Sequence, residues 1–188
     1  MLHVRRDVDG KISVAGMVSD SGGDPALAEW VLAQLRIRVL DATIVWEDAM
    51  RGAPPLVLED LQFGLDNSGR RHRFGLSALP PAELSARLDL RGEVYGDMHE
   101  ALERYSGSLY LELDRADLAG WKPWIDYPVY LPRGHGGLRL WATLDEGAGK
   151  LTTDLALADL RIRLGDKLPA LDLTSLRGRL RGEYSADA

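Results

Sequence analysis

The side chains that most often carry out chemistry are scattered through this sequence. Its four histidines lack the spacing of metal ligands: His3, His72, His99 and His135. The chain contains no cysteine, which excludes a thiol nucleophile, a disulfide and a Cys-ligated metal. It also lacks the motifs of serine hydrolases, zinc proteases and phosphate-binding loops. We therefore expect a protein that is not an enzyme and that uses no metal or cofactor.

Two pairs of carboxylates are neighbours in the sequence, Glu47-Asp48 and Glu59-Asp60. An acid/base pair needs side chains that meet at one point, whereas consecutive side chains of a strand point to opposite faces. We interpret these residues as turn and edge positions.

The one basic cluster is Arg70, Arg71, His72 and Arg73. It has two interpretations, contact with anionic lipid head groups or a partner, and a solvated hairpin after the Asn67-Ser68-Gly69 turn. Because alternating side chains divide the charge between two faces, the pattern favours the hairpin. Arg70, Arg71 and Arg73 remain candidates for surface contact.

Five tryptophans could anchor a lipid interface, although such residues more often pack in a core or at a sheet edge. The densest aromatic stretch, residues 121–128, contains Trp121 and Trp124. If a loop of this chain touches a membrane or a partner, these two residues are the candidates.

The elements that must position these residues are mainly strands, since apolar and polar residues alternate again and again. Val4 and Val8 precede an Asp9-Gly10 turn and Ile12 and Val14 follow it, a pattern that predicts a hairpin. Similar alternation recurs at residues 84–90, 109–113 and 138–144. We predict about ten to twelve strands in a mostly antiparallel sheet with the connectivity of a meander.

Two or three short helices are predicted beside the sheet. Asp24-Pro25 offers an N-cap followed by proline, which predicts a helix near residues 24–34. A second helix is predicted near residues 97–105. The third, near residues 117–122, must be short because of Pro123.

A leucine pattern repeats along the chain, with the spacing L-x-L-x-x-L-x-x-x-L. Three copies are strict, and a looser copy begins at Leu35. The first strict copy is Leu56, Leu58, Leu61 and Leu65, the second is Leu155, Leu157, Leu160 and Leu164, and the third is Leu171, Leu173, Leu176 and Leu180. A strand of period two that takes one step of three must flip its face, bend or bulge. Leu90-Arg91-Gly92-Glu93 is also repeated at residues 180–183. The repeats predict an architecture of kinked strands stacked side by side.

Charge and hydropathy narrow the class of partner. A net charge of −6 argues against nucleic acid, because phosphate binding needs concentrated Lys and Arg. No stretch is long and apolar enough for a membrane span, and residues 1–10 resemble a strand rather than a signal peptide. Since the last strand pattern stops almost at the chain end, we expect residues 1–188 to be a single β-rich segment cut from a larger repetitive protein.

Three stretches resemble the YhdP-like branch of the AsmA-like superfamily, which includes YhdP/TamB-type proteins. The first, at residues 29–48, is a helix that ends in Trp30-Val31-Leu32 and leads into a pair of strands. The second is an n-x-G-x-x-H-x-f hairpin at residues 58–74. The third, at residues 107–121, is a strand followed by Asp117-Leu118-Ala119-Gly120-Trp121. The resemblance implies a long periplasmic protein that is anchored in the inner membrane. The resemblance also implies that the body is a curled and twisted antiparallel sheet, a repetitive β-groove or half-barrel whose inner face is apolar. Such proteins are associated with phospholipid transport to the outer membrane and with the integrity of that membrane.

The leucine face has two interpretations. Alternation alone favours an ordinary packed core, whereas the resemblance favours a groove for phospholipid acyl chains. On the second interpretation the groove candidates are Leu56, Leu58, Leu155, Leu157, Leu171 and Leu173. The predicted partners are these acyl chains and neighbouring segments of the same chain. A periplasmic assembly module that binds protein strands at a sheet edge is the alternative.

Overall fold

The structure is a computed structural model that describes residues 1–14, 17–19, 30–96, 106–127, 129–145, 147–165 and 167–184. Within these residues, eleven strands form one sheet that is not closed. They are β1 Leu2–Arg6, β2 Ile12–Val14, β3 Met17–Ser19, β4 Arg36–Asp48, β5 Ala53–Ser68, β6 Arg71–Leu79, β7 Leu88–Tyr95, β8 Ser106–Asp117, β9 Tyr130–Asp145, β10 Ala148–Arg163 and β11 Leu171–Tyr184. The order across the sheet is β11-β10-β9-β8-β7-β6-β5-β4-β1-β2-β3, which confirms the mostly β class.

The sheet is mixed rather than wholly antiparallel. From β4 to β11 every strand pairs antiparallel with its neighbour in sequence, as a meander does, but β1 lies parallel to β4. Arg6 and Asp48 are partners in that parallel register, and Arg6 Nε donates to Asp48 at 3.0 Å. The predicted hairpin around Asp9-Gly10 is present, with Gly10 at φ 85°.

The prediction of two or three short helices is wrong for the described residues. They contain one short helix, over residues 30–33 at the end of the predicted 24–34 segment. The helix predicted near residues 97–105 lies outside the described residues. Residues 118–124 form turns, because β8 continues to Asp117 and leaves five residues before Pro123. Within that space Asp117 Oδ1 accepts from the backbone N–H groups of Ala119 and Gly120, at 3.0 and 3.1 Å.

The kinks predicted from the leucine repeat are bulges. In the first strict copy Asp60 has a φ of 47°, and the β5–β6 register shifts between Glu59 and Gln62. In the second copy Asp159 has a φ of 48°, and the β9–β10 register shifts beside it. One inserted residue in the left-handed region lets a strand take a step of three, and it bends the strand at that point.

The bulges leave the leucines on one face. Leu155, Leu157, Leu160 and Ile162 straddle Asp159, yet all four belong to one apolar cluster. In the third copy β11 follows the bend of β10 in constant register, with Leu173 opposite Leu160 and Leu176 opposite Leu157. β8 contains a further bulge, at Arg115 (φ 51°), that the repeat did not indicate.

The core lies at the bulged end of the sheet. There the loop between β6 and β7 contributes Leu84, and the loop between β8 and β9 contributes Leu118 and Trp121. Trp121 Nε1 donates to the Leu84 carbonyl at 3.2 Å, which ties the two loops together. Among the described residues, no helix has the length and apolar content that a membrane span requires.

Candidate functional site

The register gives the sheet two chemically different faces from β4 to β11. One face, here called the apolar face, carries the leucines, alanines and glycines that lie opposite one another across the strands. The other, the polar face, carries the charged and hydroxyl side chains at the alternate positions. Leu151 and Thr152 illustrate the division, since Leu151 lies opposite Ala142 and Gly182 whereas Thr152 lies opposite Trp141 and Arg181.

One half of the apolar face is closed by the two loops of the core. Trp121 is 5% exposed and packs edge-on against Trp124, with ring centroids 5.9 Å apart. Trp124 Nε1 donates to the Pro54 carbonyl at 3.1 Å, so the β8–β9 loop reaches the start of β5. Both tryptophans, predicted as candidates for surface contact, therefore hold the covering loop in place.

The other half of the apolar face is open. Beyond the core, toward the turn between β9 and β10, a concavity of about 530 Å³, here called the apolar groove, crosses the strands from β6 to β11. Its apolar lining comes from one or two residues of each strand: Phe74, Val94, Leu109, Ala142, Leu144, Leu151 and Tyr184. Leu144 and Leu151 are each 43% exposed, a high fraction for leucines facing the same side as a core.

Glycines create the furrows of this groove. Leu144 lies between Gly107 and Gly149, and Leu151 lies opposite Gly182. A Cβ atom built at Gly182 would meet nothing within 4 Å. A large side chain beside a glycine has no lateral neighbour to pack against, and the space between successive leucines stays unfilled.

Phe74 is packed differently from these leucines. A Cβ atom built at Gly92 would lie 2.3 Å from Phe74 Cζ, so the aromatic ring covers the glycine directly opposite it. Gly92 and Gly182 are the glycines of the repeated Leu-Arg-Gly-Glu sequence. Each lies on the apolar face, while the arginine and glutamate beside it lie on the polar face.

Arginine–carboxylate pairs cover the polar face. Arg38 pairs with Asp66 at 2.6 Å, Arg139 with Glu112 at 2.8 Å, and Arg179 with Asp154 at 2.5 Å. Hydrogen bonds from Arg36 and Arg38 hold the pKa of Asp66 below its ordinary value, and the bond from Arg179 does the same for the pKa of Asp154. These carboxylates are ionised at neutral pH, which keeps this face wet.

The basic cluster is divided between the faces, as its alternation indicated. Arg71 and Arg73 both donate to Glu93, at 2.7 and 2.5 Å. With Tyr95 they lower the pKa of Glu93 to about 2. His72 points to the opposite face, where its Nδ1 lies 2.9 Å from Asn67 Oδ1. Arg70 lies in the turn before β6.

The structure separates the six predicted groove leucines. Leu56 and Leu157 are 6% and 5% exposed and belong to the closed core. Leu58, Leu155 and Leu173 are partly buried against that core, and Leu171 is 44% exposed at the start of β11. A ligand in the apolar groove would touch other residues, chiefly Leu109, Leu144 and Leu151. The signal that could have found them is a leucine opposite a glycine, which requires the register.

Comparison with known proteins adds one finding. A sequence model of the family described as YhdP protein matches residues 1–187. A search of curated proteins and a search of solved structures gave no match.

Proposed function

Because this chain belongs to the YhdP family, we propose that it is a structural, lipid-contacting segment of a periplasmic, AsmA-like protein anchored in the inner membrane. Its role is to carry phospholipid toward the outer membrane of the bacterium and so to maintain that membrane as a barrier. The role is not enzymatic, and neighbouring segments of the same chain extend the track.

The observation that carries this proposal is the open apolar groove beside a closed core. Leu144 and Leu151 face the same side as the core residues but remain substantially exposed. Burying each CH₂ group of an acyl chain against such a surface contributes about 0.8 kcal/mol. The affinity of the groove for an acyl chain therefore comes from ordinary apolar contact along its whole length.

The dimensions of the groove suit an acyl chain. From Phe74 on β6 to Tyr184 on β11 it crosses five strand spacings of about 4.8 Å, or roughly 24 Å. An acyl chain spans about half of a hydrocarbon core that is roughly 30 Å thick. The groove is therefore long enough for an acyl chain that lies across the strands.

The test is native mass spectrometry of the chain purified from a bacterial host, with lipids extracted from the same sample. We expect co-purifying phospholipid, and a several-fold smaller amount for Gly182→Leu, whose side chain fills the furrow beside Leu151. Gly75→Leu is the matched control, since a Cβ there also meets nothing within 4 Å but lies on the polar face. A lipid-free wild-type protein would contradict the proposal.

A second function is favoured by β11. This strand of 14 residues pairs, among the described strands, with β10 alone, so one row of its backbone groups is available to another strand. The alternative function is a periplasmic assembly module that binds protein through this edge. Lipid-free protein that captures an extended peptide, and loses it when proline replaces Arg179 or Arg181, would favour this alternative.

A further inference from the structure

The polar face contains a concavity of its own, larger than the apolar groove. It has a volume of about 690 Å³ and crosses the sheet from Leu40 on β4 to Trp141 on β9. This distance is five strand spacings, or roughly 24 Å. We call it the polar groove. The proposed lipid track lies on the opposite face of the sheet, and the family match assigns no role to this one.

Two glycines form the floor of the polar groove. Gly64 and Gly75 lie directly opposite each other on β5 and β6. The guanidinium of Arg38 extends over Gly64, whereas a Cβ atom at Gly75 would meet nothing within 4 Å. The backbone at Gly75 is therefore uncovered in the middle of a surface where most positions carry long side chains.

The walls of the polar groove are charged but balanced. Three arginines line it, and each is paired with a carboxylate that also lines it: Arg38 with Asp66, Arg73 with Glu93, and Arg91 with Asp89. The distances are 2.6, 2.5 and 2.7 Å. Since three positive and three negative groups cancel, an anion would gain little from the guanidinium groups and would meet the carboxylates.

An aromatic pair closes one end of the groove. The rings of Tyr110 and Trp141 have centroids 5.5 Å apart and an interplanar angle of 48°. Tyr110 donates its hydroxyl proton to Glu112 at 2.7 Å, and Glu112 accepts a further bond from Arg139. Trp141 is 37% exposed on a face that is mostly polar, with the Arg179 guanidinium 6.0 Å from its ring centroid.

We propose that the polar groove binds a neutral oligosaccharide. A sugar ring presents apolar C–H groups on its faces and hydroxyl groups at its rim. Tyr110 and Trp141 supply an aromatic surface for the C–H groups. The paired arginines and carboxylates supply fixed donors and acceptors side by side, as hydroxyl groups require. A polar track of this length fits a linear chain of several sugar units rather than a single sugar.

The test is isothermal titration calorimetry of the full chain with two neutral tetrasaccharides, one of β-1,4-linked N-acetylglucosamine and one of α-1,4-linked glucose. We expect saturable binding of at least one of them. Trp141→Ala should weaken binding about tenfold or more, because it removes the aromatic surface. Gly75→Leu should do the same by filling the floor, and it should leave the melting temperature unchanged because its side chain enters open space.

Two variants serve as matched controls. Gly178→Leu also enters open space, but on the apolar face, and Trp30→Ala removes a tryptophan that is 59% exposed outside the groove. Both should bind the tetrasaccharide as the wild type does. Absence of saturable binding to either sugar, equal affinity in folded Gly75→Leu, or displacement of the sugar by inorganic phosphate would each overturn the proposal.

Discussion

Leu151 on β10 and Gly182 on β11 lie directly opposite each other on the apolar face, and the glycine leaves one side of the leucine uncovered. On the other side Leu151 lies opposite Ala142, another small residue. This arrangement differs from that at the bulged end of the same strands, where Leu157 opposes Leu176 and is 5% exposed. One face thus changes from a packed core to an open groove within six residues of β10.

The two ends of the apolar face should differ in their contribution to stability. Leu160 is 1% exposed beside the bulge at Asp159, so Leu160→Ala should lower the free energy of unfolding by about 2–5 kcal/mol. Leu180 is 61% exposed on the neighbouring strand, and Leu180→Ala should change it by less than about 0.5 kcal/mol. Urea unfolding followed by circular dichroism measures both. Equal losses would show that the open half is packed in solution.

The close approach of β9 to β10 should depend on one of two adjacent glycines in β9. Gly136 has a φ of 151°, and a Cβ there would lie 2.1 Å from the carbonyl oxygen of Ala156. Gly136→Ala should therefore cost about 2 kcal/mol or more in the free energy of unfolding, because backbone must shift. At Gly137 the nearest atom, Asp114 Oδ1, is 3.7 Å away, so Gly137→Ala should be nearly neutral. The same unfolding measurement separates them, and a tolerated Gly136→Ala would contradict the close approach of β9 and β10.

Glu93 should make stability depend on pH in the acid range. Bonds from Arg71, Tyr95 and Arg73 lower its pKa from 4.5 to about 2 in the folded protein. A carboxyl group with a lowered pKa stabilises the fold fully above its unfolded value, and the contribution is lost as the pH falls from 4.5 toward 2.

The variant Glu93→Gln isolates this contribution, because the other paired carboxylates remain. The melting temperature of the wild type should fall more steeply than that of the variant between pH 4.5 and 2. In a carboxyl NMR titration of the folded protein, Glu93 should titrate near pH 2. Parallel melting curves, or a midpoint near 4.5, would contradict the three-donor site.

Much of this fold follows from local sequence patterns. Alternation predicted the meander, and the step of three between Leu157 and Leu160 predicted a kink where Asp159 adopts a left-handed conformation. Aspartate suits such positions better than most residues, because its short polar side chain tolerates them. The pattern could not decide between a flip and a bulge. The choice between them depends on how the neighbouring strand pairs with this one.

Features that depend on long-range pairing could not be predicted from the sequence. The parallel pairing of β1 with β4 joins Leu2 to Ile44, and no local pattern indicates such a partner. The repeat likewise indicated Leu56 and Leu157 as groove residues, whereas both are buried in the core beside the loop that carries Trp121. The open groove arises where leucine meets glycine across strands, and those pairs exist only once the register is known.

The most direct test of the lipid track uses two adjacent residues that point to opposite faces. A photoreactive benzoyl-phenylalanine is placed at Leu151 or at Thr152, and the protein is irradiated in cells whose phospholipids carry a radioactive label. We expect labelled protein for the Leu151 position and none above background for Thr152. Equal labelling at the two positions, or none at Leu151, would contradict a lipid track on the apolar face.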